Sequence, residues 1–510
     1  MAVGRWGPKG KAAAGIVAVG CLGLLVWRVA LWQPAPRGPR TIISSRPLVL
    51  STPAENAAQL RASVRAANIL IIVMDAARAD HLGCYGYPRN TTPNVDRLAA
   101  ESLLFERHYT DYPQTKTSTA SLFTSRHADT HLATEMQEIA ADTFAMQRGL
   151  KHAGLTTAYF YSNAWASPWG FAEGFDDIYS PNSGAAWRDP TRAPASAEVH
   201  RIGPNTEAVL AAFSGWLASR AGDRFFAYVH LTPPHFPYDA PKEMAALFTG
   251  RAPNYRRGRS PFPEAKDAGG PGPHHHPGSD LVNKYDANLR YADWAVGRIV
   301  DELRKRGLLD KTLLLVTSDH GESFGEHGYN WHPACPFEEA LHIPMLIRFP
   351  GGRPAGRVSA LTENTDLLPT IYDLLALPLP TQLIQGRSFL PLISSEKAAI
   401  HQYLFSHTGG LLPCYVVRDL RYALLLYEGG KLRALYDLDN DPWQMRNIID
   451  RQSERAARMA DAFRQFALTQ RTTPLQFVDA NARPRAVPRG KNVTLTEETK
   501  KQLRTLGYVQ

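Results

Sequence analysis

Asn68-Ile-Leu-Ile-Ile-Val-Met-Asp75 reads as a strand buried on both faces and closed by a carboxylate. A strand with one wet face alternates apolar and polar residues. An unbroken run of this kind is covered above and below, as in a parallel sheet between helical layers. Two more runs share the pattern. Thr312-Leu-Leu-Leu-Val-Thr317 leads into Ser318-Asp-His-Gly321, and Phe225-Phe-Ala-Tyr-Val-His230 ends near His235. Between such runs lie helical patterns, for example Ala287 to Arg306, with Tyr291, Val296, Ile299, Val300 and Leu303 at helical spacing. Buried strands alternating with helices predict an α/β fold with a mostly parallel central sheet and helices on both faces. Ligands of such sheets bind beyond the carboxyl ends of the strands, where Asp75, Asp319 and His235 fall.

Outward from this core the chain is uneven. Arg5, Lys9 and Lys11 precede an apolar run over residues 12–32, which would span about 31 Å as a helix at ~1.5 Å per residue. That length suits a single membrane anchor, with a cleaved signal peptide as the rival reading. Pro36, directly after Ala35, disfavours cleavage, and Arg37 and Arg40 dilute the charge bias that would fix orientation. The expectation is a cytoplasmic stretch 1–11, an anchor 12–32, a Pro/Arg/Ser/Ala-rich stalk 33–67 and an extracytoplasmic catalytic domain 68–395. Residues 250–280, with many Pro and Gly and the triplet His274-His275-His276, read as a solvated insertion more readily than as a metal site. Short strand patterns at Tyr415–Val417 and Tyr422–Tyr427 predict a smaller antiparallel subdomain over 396–475, followed by a tail 476–510. Of the 510 residues 44% are apolar and 21% charged, which excludes a disordered chain. The net charge of +9 is consistent with a solvated basic surface or with attraction to an anionic partner. Four cysteines exclude a disulfide scaffold, and none has zinc-ribbon spacing. One bridge, Cys335 to Cys414, stays open. Asn90 and Asn492 head glycosylation sequons.

The chemistry concentrates in three places. Asp75 and the Asp319-His320 pair each follow a buried strand. Thr115-Lys-Thr-Ser-Thr119-Ala-Ser-Leu-Phe-Thr-Ser125-Arg126 reads as a helix in its second half, which puts Thr115 to Ser118 at an N-terminus. Unpaired N–H groups and the positive dipole end suit a tetrahedral anion there. A hydroxyl beside a metal held by Asp75, Asp319 and His320 would be an activated nucleophile.

These segments resemble the sulfatase and alkaline phosphatase superfamily. The opening Asn68–Asp75, Arg78-Ala-Asp-His-Leu-Gly-Cys-Tyr-Gly86 and Thr92-Pro-Asn-Val-Asp-Arg-Leu98 is similar to that of sulfatases. So are Pro234-His235-Phe-Pro-Tyr238, Ser318–Glu322 with Glu326-His327-Gly328, Glu338–Pro344, Leu435–Pro442 and Leu506-Gly-Tyr508. The resemblance implies an alkaline-phosphatase-like sandwich with a smaller C-terminal subdomain, and hydrolysis or transfer of an ester.

The departures from the family pattern narrow the chemistry. Thr115 stands where sulfatases carry the Cys that becomes formylglycine, and threonine cannot be so converted. Thr117 replaces the family's Pro, Ser118 is kept, and Thr119 replaces the Arg. Ala76 stands for the usual second Asp. Asn163 and His332 lie where the two lysines belong. The resemblance therefore implies Thr115, with Thr117 as competitor, as a covalent nucleophile, and His235 and His332 as groups that bind the transferred group or protonate the leaving oxygen. It implies Lys116, Ser118 and Asn163 as substrate-binding residues. One divalent metal is expected on Asp75, Asp319, His320 and Thr115. A His-containing, carboxylate-poor set favours Mn²⁺ or Zn²⁺, with Ca²⁺ still open. A two-zinc site is disfavoured, because no Asp has a His four residues later. The main expectation is phosphoryl or phosphodiester transfer or hydrolysis. The alternatives are a sulfuric ester hydrolase and a catalytically inactive binding protein. The expected partner is an anionic ester, lipid- or glycan-linked among the options, with no role for nucleic acid.

Overall fold

The structure is a computed structural model. It describes residues 53–469, apart from 181–205, 254–278 and several short stretches between elements. Its central sheet contains β1 (Asn68–Met74), β2 (Leu103–Tyr109), β3 (Thr156–Tyr161), β4 (Asp177–Tyr179), β5 (Phe225–Leu231), β6 (Thr312–Thr317), β7 (His342–Ile343), β8 (Met345–Arg348) and β9 (Gly356–Glu363). The strand order is β4-β3-β5-β1-β6-β8-β2-β7, with β9 paired to β2. From β4 to β6 every pairing is parallel, whereas β8 runs antiparallel to both β6 and β2. The apolar run at 68–74 is the centre of this sheet, and all seven of its residues are buried. Ile69, Ile71 and Val73 enter one apolar core and Leu70, Ile72 and Met74 the other, as the two-residue period of a strand requires.

Helices cover both faces. On one face α1 (Pro53–Val64) inserts Leu60 and Val64 beside Ile69 and Ile71. Arg61 also donates to the Asp373 carboxylate at 2.6 Å. Residues 53–64, expected as the end of a stalk, are thus a docked helix. Its apolar positions at 60 and 64 lie one helical turn apart, so a helix buries both and an extended stalk would leave them wet. On the same face α2 (Thr115–Thr124) adds its Phe123 to this core, and α3 (Ser279–Lys305) covers the opposite face through Leu289, Val296, Ile299 and Leu303. A second sheet, β10 (Leu404–Thr408), β11 (Cys414–Arg418), β12 (Tyr422–Tyr427) and β13 (Leu432–Asp437), is antiparallel throughout. It carries α4 (Ser453–Thr469), whose Met459 and Phe463 are buried against it. This is the small C-terminal subdomain expected from sequence.

One expectation is corrected and one open question answered. Among the described residues no helix is long and apolar enough to cross a membrane; the longest, α3, is charged along its outer side. The anchor expected at 12–32 lies outside the described residues, and the membrane localisation built on it is withdrawn. Cys335 and Cys414 sit in one apolar cluster as buried free thiols, not as a disulfide. The His274–His276 triplet and the tail 476–510 also fall outside the described residues.

One buried ion pair ties the end of α2 to the rest. His127 Nε2 lies 3.2 Å from Glu363 Oε1, and the His127 ring meets Phe466 of α4 edge-on at 4.9 Å. Burial opposes the imidazolium, but Glu363 and Asp111 outweigh it and hold His127 up at about 9. The folded value is raised, so the stabilisation is complete below the unfolded value of roughly 6.5 and is lost as pH climbs through the folded one. Urea midpoints should therefore fall for the parent between pH 6.5 and 9.5, and His127→Gln should shrink that fall. Equal slopes for the two proteins would show that the pair contributes nothing.

Candidate active site

Parallel register places the site. Asp75 follows β1 and Asp319 follows β6, and the strands pair up to Val73 opposite Thr317. On the other side β5 pairs Val73 with His230, so its imidazole enters beside Asp75. His230 Nε2 is 3.2 Å from Asp75 Oδ2 and 3.9 Å from Asp319 Oδ2. His320 Nε2 lies 3.6 Å from Asp75 Oδ1 and 3.5 Å from Asp319 Oδ2. All four side chains are at most 2% exposed.

This donor set fits a divalent cation. Asp75, His230 and Asp319 each offer a ligand atom, all within 4.8 Å of one another. Asp75 Oδ1, Asp319 Oδ2 and His230 Nε2 are buried without a well-formed hydrogen bond. Buried polar atoms left so are costly unless an ion or water meets them. Burial would raise the Asp75 pKa, but the facing imidazoles of His235, His230 and His320 hold it well below the usual carboxylate range. Asp75 therefore stays anionic, as a metal ligand must. A second group, Glu363, Asp366 and His401, has similar spacing. Its donors are already engaged: His401 Nε2 contacts both Asp366 oxygens at 2.9 and 3.0 Å, and Thr365 donates to Glu363 at 2.7 Å. That group is an ion-pair network.

Thr115 opens α2, and its Oγ1 is 3.2 Å from His320 Nε2. Thr117, the competing hydroxyl, turns away and donates to the Ala133 carbonyl at 3.1 Å. Lys116, in the same turn, is 2% exposed. Ser118, expected to bind substrate, instead clips the helix to the sheet: its Oγ donates to Asp319 O at 2.7 Å and accepts from Asn364 Nδ2 at 2.9 Å. Its hydroxyl is consumed by the scaffold. Asn163 Nδ2 donates to Asp75 Oδ2 at 2.6 Å and orients that carboxylate.

Three imidazoles are fixed in one tautomer by carbonyl oxygens, which only accept. Nδ1 of His320 donates to Gly321 O at 2.8 Å, Nδ1 of His332 to Pro113 O at 2.7 Å, and Nδ1 of His235 to Phe236 O at 2.5 Å. Each Nε2 is thereby turned to the site. His235 Nε2 and His332 Nε2 face each other at 3.2 Å, and the His332 ring stacks on His320 at 3.9 Å. Two imidazole lone pairs at that separation repel unless a proton or another electrophile lies between them. Burial and the neighbouring His320 and His235 keep His332 itself far below the ordinary imidazole value.

His230 was missed in the sequence, although it closes the run Phe225–His230. Its signal was an imidazole inside an otherwise apolar buried strand, next in the sheet to the strand carrying Asp75.

The sulfatase family profile matches residues 67–377, more than half of the chain, and the profile of the N-sulphoglucosamine sulphohydrolase C-terminal region matches residues 325–468. The chain belongs to the sulfatase family. It is 26% identical over 434 residues to the uncharacterized sulfatase YidJ of Escherichia coli, covering 75% of this chain and 83% of that protein. It is also 26% identical over 449 residues to human iduronate 2-sulfatase, covering 76% and 77%. Among solved structures it resembles the phosphonate monoester hydrolase of Agrobacterium radiobacter, with a TM-score of 0.63 and 22% identity over 79% of this chain and 95% of that one. BT4656, solved in complex with its substrate D-glucosamine-2-N,6-O-disulfate, gives a TM-score of 0.67 and 21% identity over 79% and 97%. The fold is the α/β sulfatase sandwich with a small antiparallel sheet, and the activity class is ester hydrolysis.

The geometry yields a test by metal content. The purified parent should hold one equivalent of a divalent ion, and Asp319→Ala and His230→Ala should each lose it. Asn163→Ala, which removes only the group that orients Asp75, should weaken affinity by roughly 10- to 100-fold. Elemental analysis showing full occupancy in Asp319→Ala would place the ion elsewhere.

Proposed function

We propose that this chain is a metal-dependent hydrolase of monoanionic esters that uses the Thr115 hydroxyl as its nucleophile. The observation that carries this reading is Thr115 Oγ1 at the first turn of α2, 3.2 Å from His320 Nε2 and beside the Asp75–His230–Asp319 donors. Those donors with His320 would hold the ion; two nitrogens with two carboxylates suit Mn²⁺ or Zn²⁺ better than Ca²⁺. A bound divalent cation supplies Lewis-acid polarisation of the ester oxygens.

The remaining work falls to the chain. Residues at the α2 N-terminus present backbone N–H groups to the anion. Thr115 Oγ1 bonds to the central phosphorus or sulfur as its proton passes to water, and the bond from that atom to the leaving oxygen breaks. That oxygen departs as an alcohol once it takes a proton, for which the His235–His332 pair is placed. Water then attacks the same central atom, releases the acid and restores the Thr115 hydroxyl.

Kinship to sulfatases, human iduronate 2-sulfatase among them, supports a sulfuric ester. Thr115 narrows the chemistry in another direction. A sulfated threonine lacks the aldehyde exit of formylglycine, whereas a phosphothreonine diester is relieved by in-line attack of water, or of an acceptor alcohol, at phosphorus. Phosphoric diesters therefore rank ahead of sulfuric esters for this residue.

Paired aryl substrates decide between them. Turnover is expected to be fastest on the aryl phosphate diester, slower on the aryl sulfate and slowest on the phosphate monoester. An aryl sulfate turned over faster than the diester would make the chain a sulfuric ester hydrolase, and no turnover by metal-loaded protein would make it a binding protein. Thr115→Ala should keep fold and metal largely intact and lower turnover by several orders of magnitude, while Thr117→Ala should stay near the parent. Mass spectrometry after brief reaction should find the added group on Thr115; a fully active Thr115→Ala would exclude the covalent route.

A further inference from the structure

Three of the imidazoles at the site, those of His235, His320 and His332, rest Nδ1 on backbone carbonyls. His230 differs. Its Nδ1 lies 3.1 Å from the hydroxyl of Tyr228, two residues earlier on β5 and therefore on the same face of the sheet. Both side chains are fully buried. The phenol ring is held on two sides, stacking on Tyr159 at 4.7 Å and packing against Phe123 at 5.1 Å. It has little freedom to turn its hydroxyl away from His230.

The other ring nitrogen decides what this contact does. His230 Nε2 points between Asp75 Oδ2, at 3.2 Å, and Asp319 Oδ2, at 3.9 Å, and is buried without a well-formed hydrogen bond. A metal ligand must present a lone pair there, so the ring proton has to sit on Nδ1 and be accepted by the Tyr228 oxygen. A carbonyl would enforce this alone, because it only accepts. A hydroxyl can also donate, and a phenol donating to Nδ1 would leave the proton on Nε2. Tyr228 therefore holds the ligand form only if its own hydrogen goes elsewhere. The Thr119 hydroxyl, one turn after Thr115 on α2, faces it and is buried without a well-formed hydrogen bond of its own. Ala76 offers no side-chain oxygen, so the donor set has little to fall back on if His230 turns.

We propose that Tyr228 is a positioning residue for the metal centre: its hydroxyl accepts Nδ1–H from His230, gives its own hydrogen to Thr119, and so keeps the Nε2 lone pair on the ion. This rests on the metal-dependent reading above. The chain Thr119–Tyr228–His230 ties α2 to the ion through side chains alone.

Tyr228→Phe removes the hydroxyl and keeps the ring against Tyr159 and Phe123. Zn²⁺ affinity, read by competition with a chelating dye, should fall roughly 10- to 100-fold. Mg²⁺ takes oxygen ligands and leans on the carboxylates, so its affinity should change by no more than about twofold. A general loosening of the site would weaken both ions alike. That result, or an unchanged zinc affinity, would overturn the proposal. Should Tyr228→Phe fail to fold, Thr119→Val takes its place, because it removes the acceptor of the phenol hydrogen and keeps the shape of the side chain. It should show the same zinc-selective loss, about three- to tenfold, the range of one hydrogen bond, and zinc affinity equal to the parent's would then overturn the proposal. A parent that binds no divalent ion would remove the metal reading and this proposal with it. A parent and a Tyr228→Phe variant that bind zinc equally well would leave that reading standing and remove the proposal alone.

Discussion

The site depends on the parallel pairing of β1 with both β5 and β6. Three adjacent strands end at one edge, and the register sets Asp75, His230 and Asp319 within ligand distance before any loop is arranged. Backbone bonds then finish the alignment. The Asp75 N–H donates to Leu231 O at 2.9 Å, and the Asp319 carboxylate accepts the Ala76 N–H at 3.1 Å. A shift of two residues in either pairing would carry one donor about 7 Å along the strand, beyond the reach of a shared ion. Burial of alternate β1 residues in two separate cores opposes slippage by a single residue, because that would exchange the faces. The precision of the chemistry is thus inherited from the sheet.

The helix carrying Thr115 is held by the same logic. Ser118 bonds to the Asp319 carbonyl and to Asn364, so α2 and the loop after β6 are clipped together one turn after Thr115. Much of what looks like sequence signature serves such bracing. Arg78 is buried between Asp80 and Glu326, at 2.8 and 2.6 Å, and His327 pairs with Glu339 at 2.7 Å. An ion pair with this little solvent access is strongly destabilised when one partner is lost. Such pairs brace the loops around the candidate site without touching Thr115 or the candidate metal donors.

Legibility in the sequence followed the same division. The runs 68–74 and 312–317 coincide with β1 and β6 to the residue, and 225–230 falls one residue short of β5. An unbroken apolar stretch has few other solutions. Asp75, Asp319 and His320 were legible because a polar residue directly after a buried strand stands out. His230 was hidden because it lies inside the strand, where periodicity assigns it to packing. Ser118 and Asn163 were given to the substrate because motif position reports proximity and not direction; only the hydrogen bonds show that both side chains are spent on protein atoms. Helix 53–64 was taken for stalk, since it continues an Ala-, Ser-, Arg- and Pro-rich stretch and its core contacts, Ala57, Leu60 and Val64, include only two large apolar side chains.

Charge unites the two ester classes that kinship and Thr115 favour separately. Asp75 and Asp319 bring two negative charges, which one divalent cation cancels. Burial keeps His332 far below the ordinary imidazole value, whereas Asp75 and Asp319 hold His230 above it despite burial. Lys116, next to Thr115 in the first turn of α2, is buried. In so poorly hydrated a setting an uncompensated charge is costly. Sulfuric monoesters and phosphoric diesters are both monoanions; a phosphoric monoester is a dianion. On the proposed mechanism the central atom is decided at Thr115, by how its ester can be broken, and not by charge, which the two ester classes share.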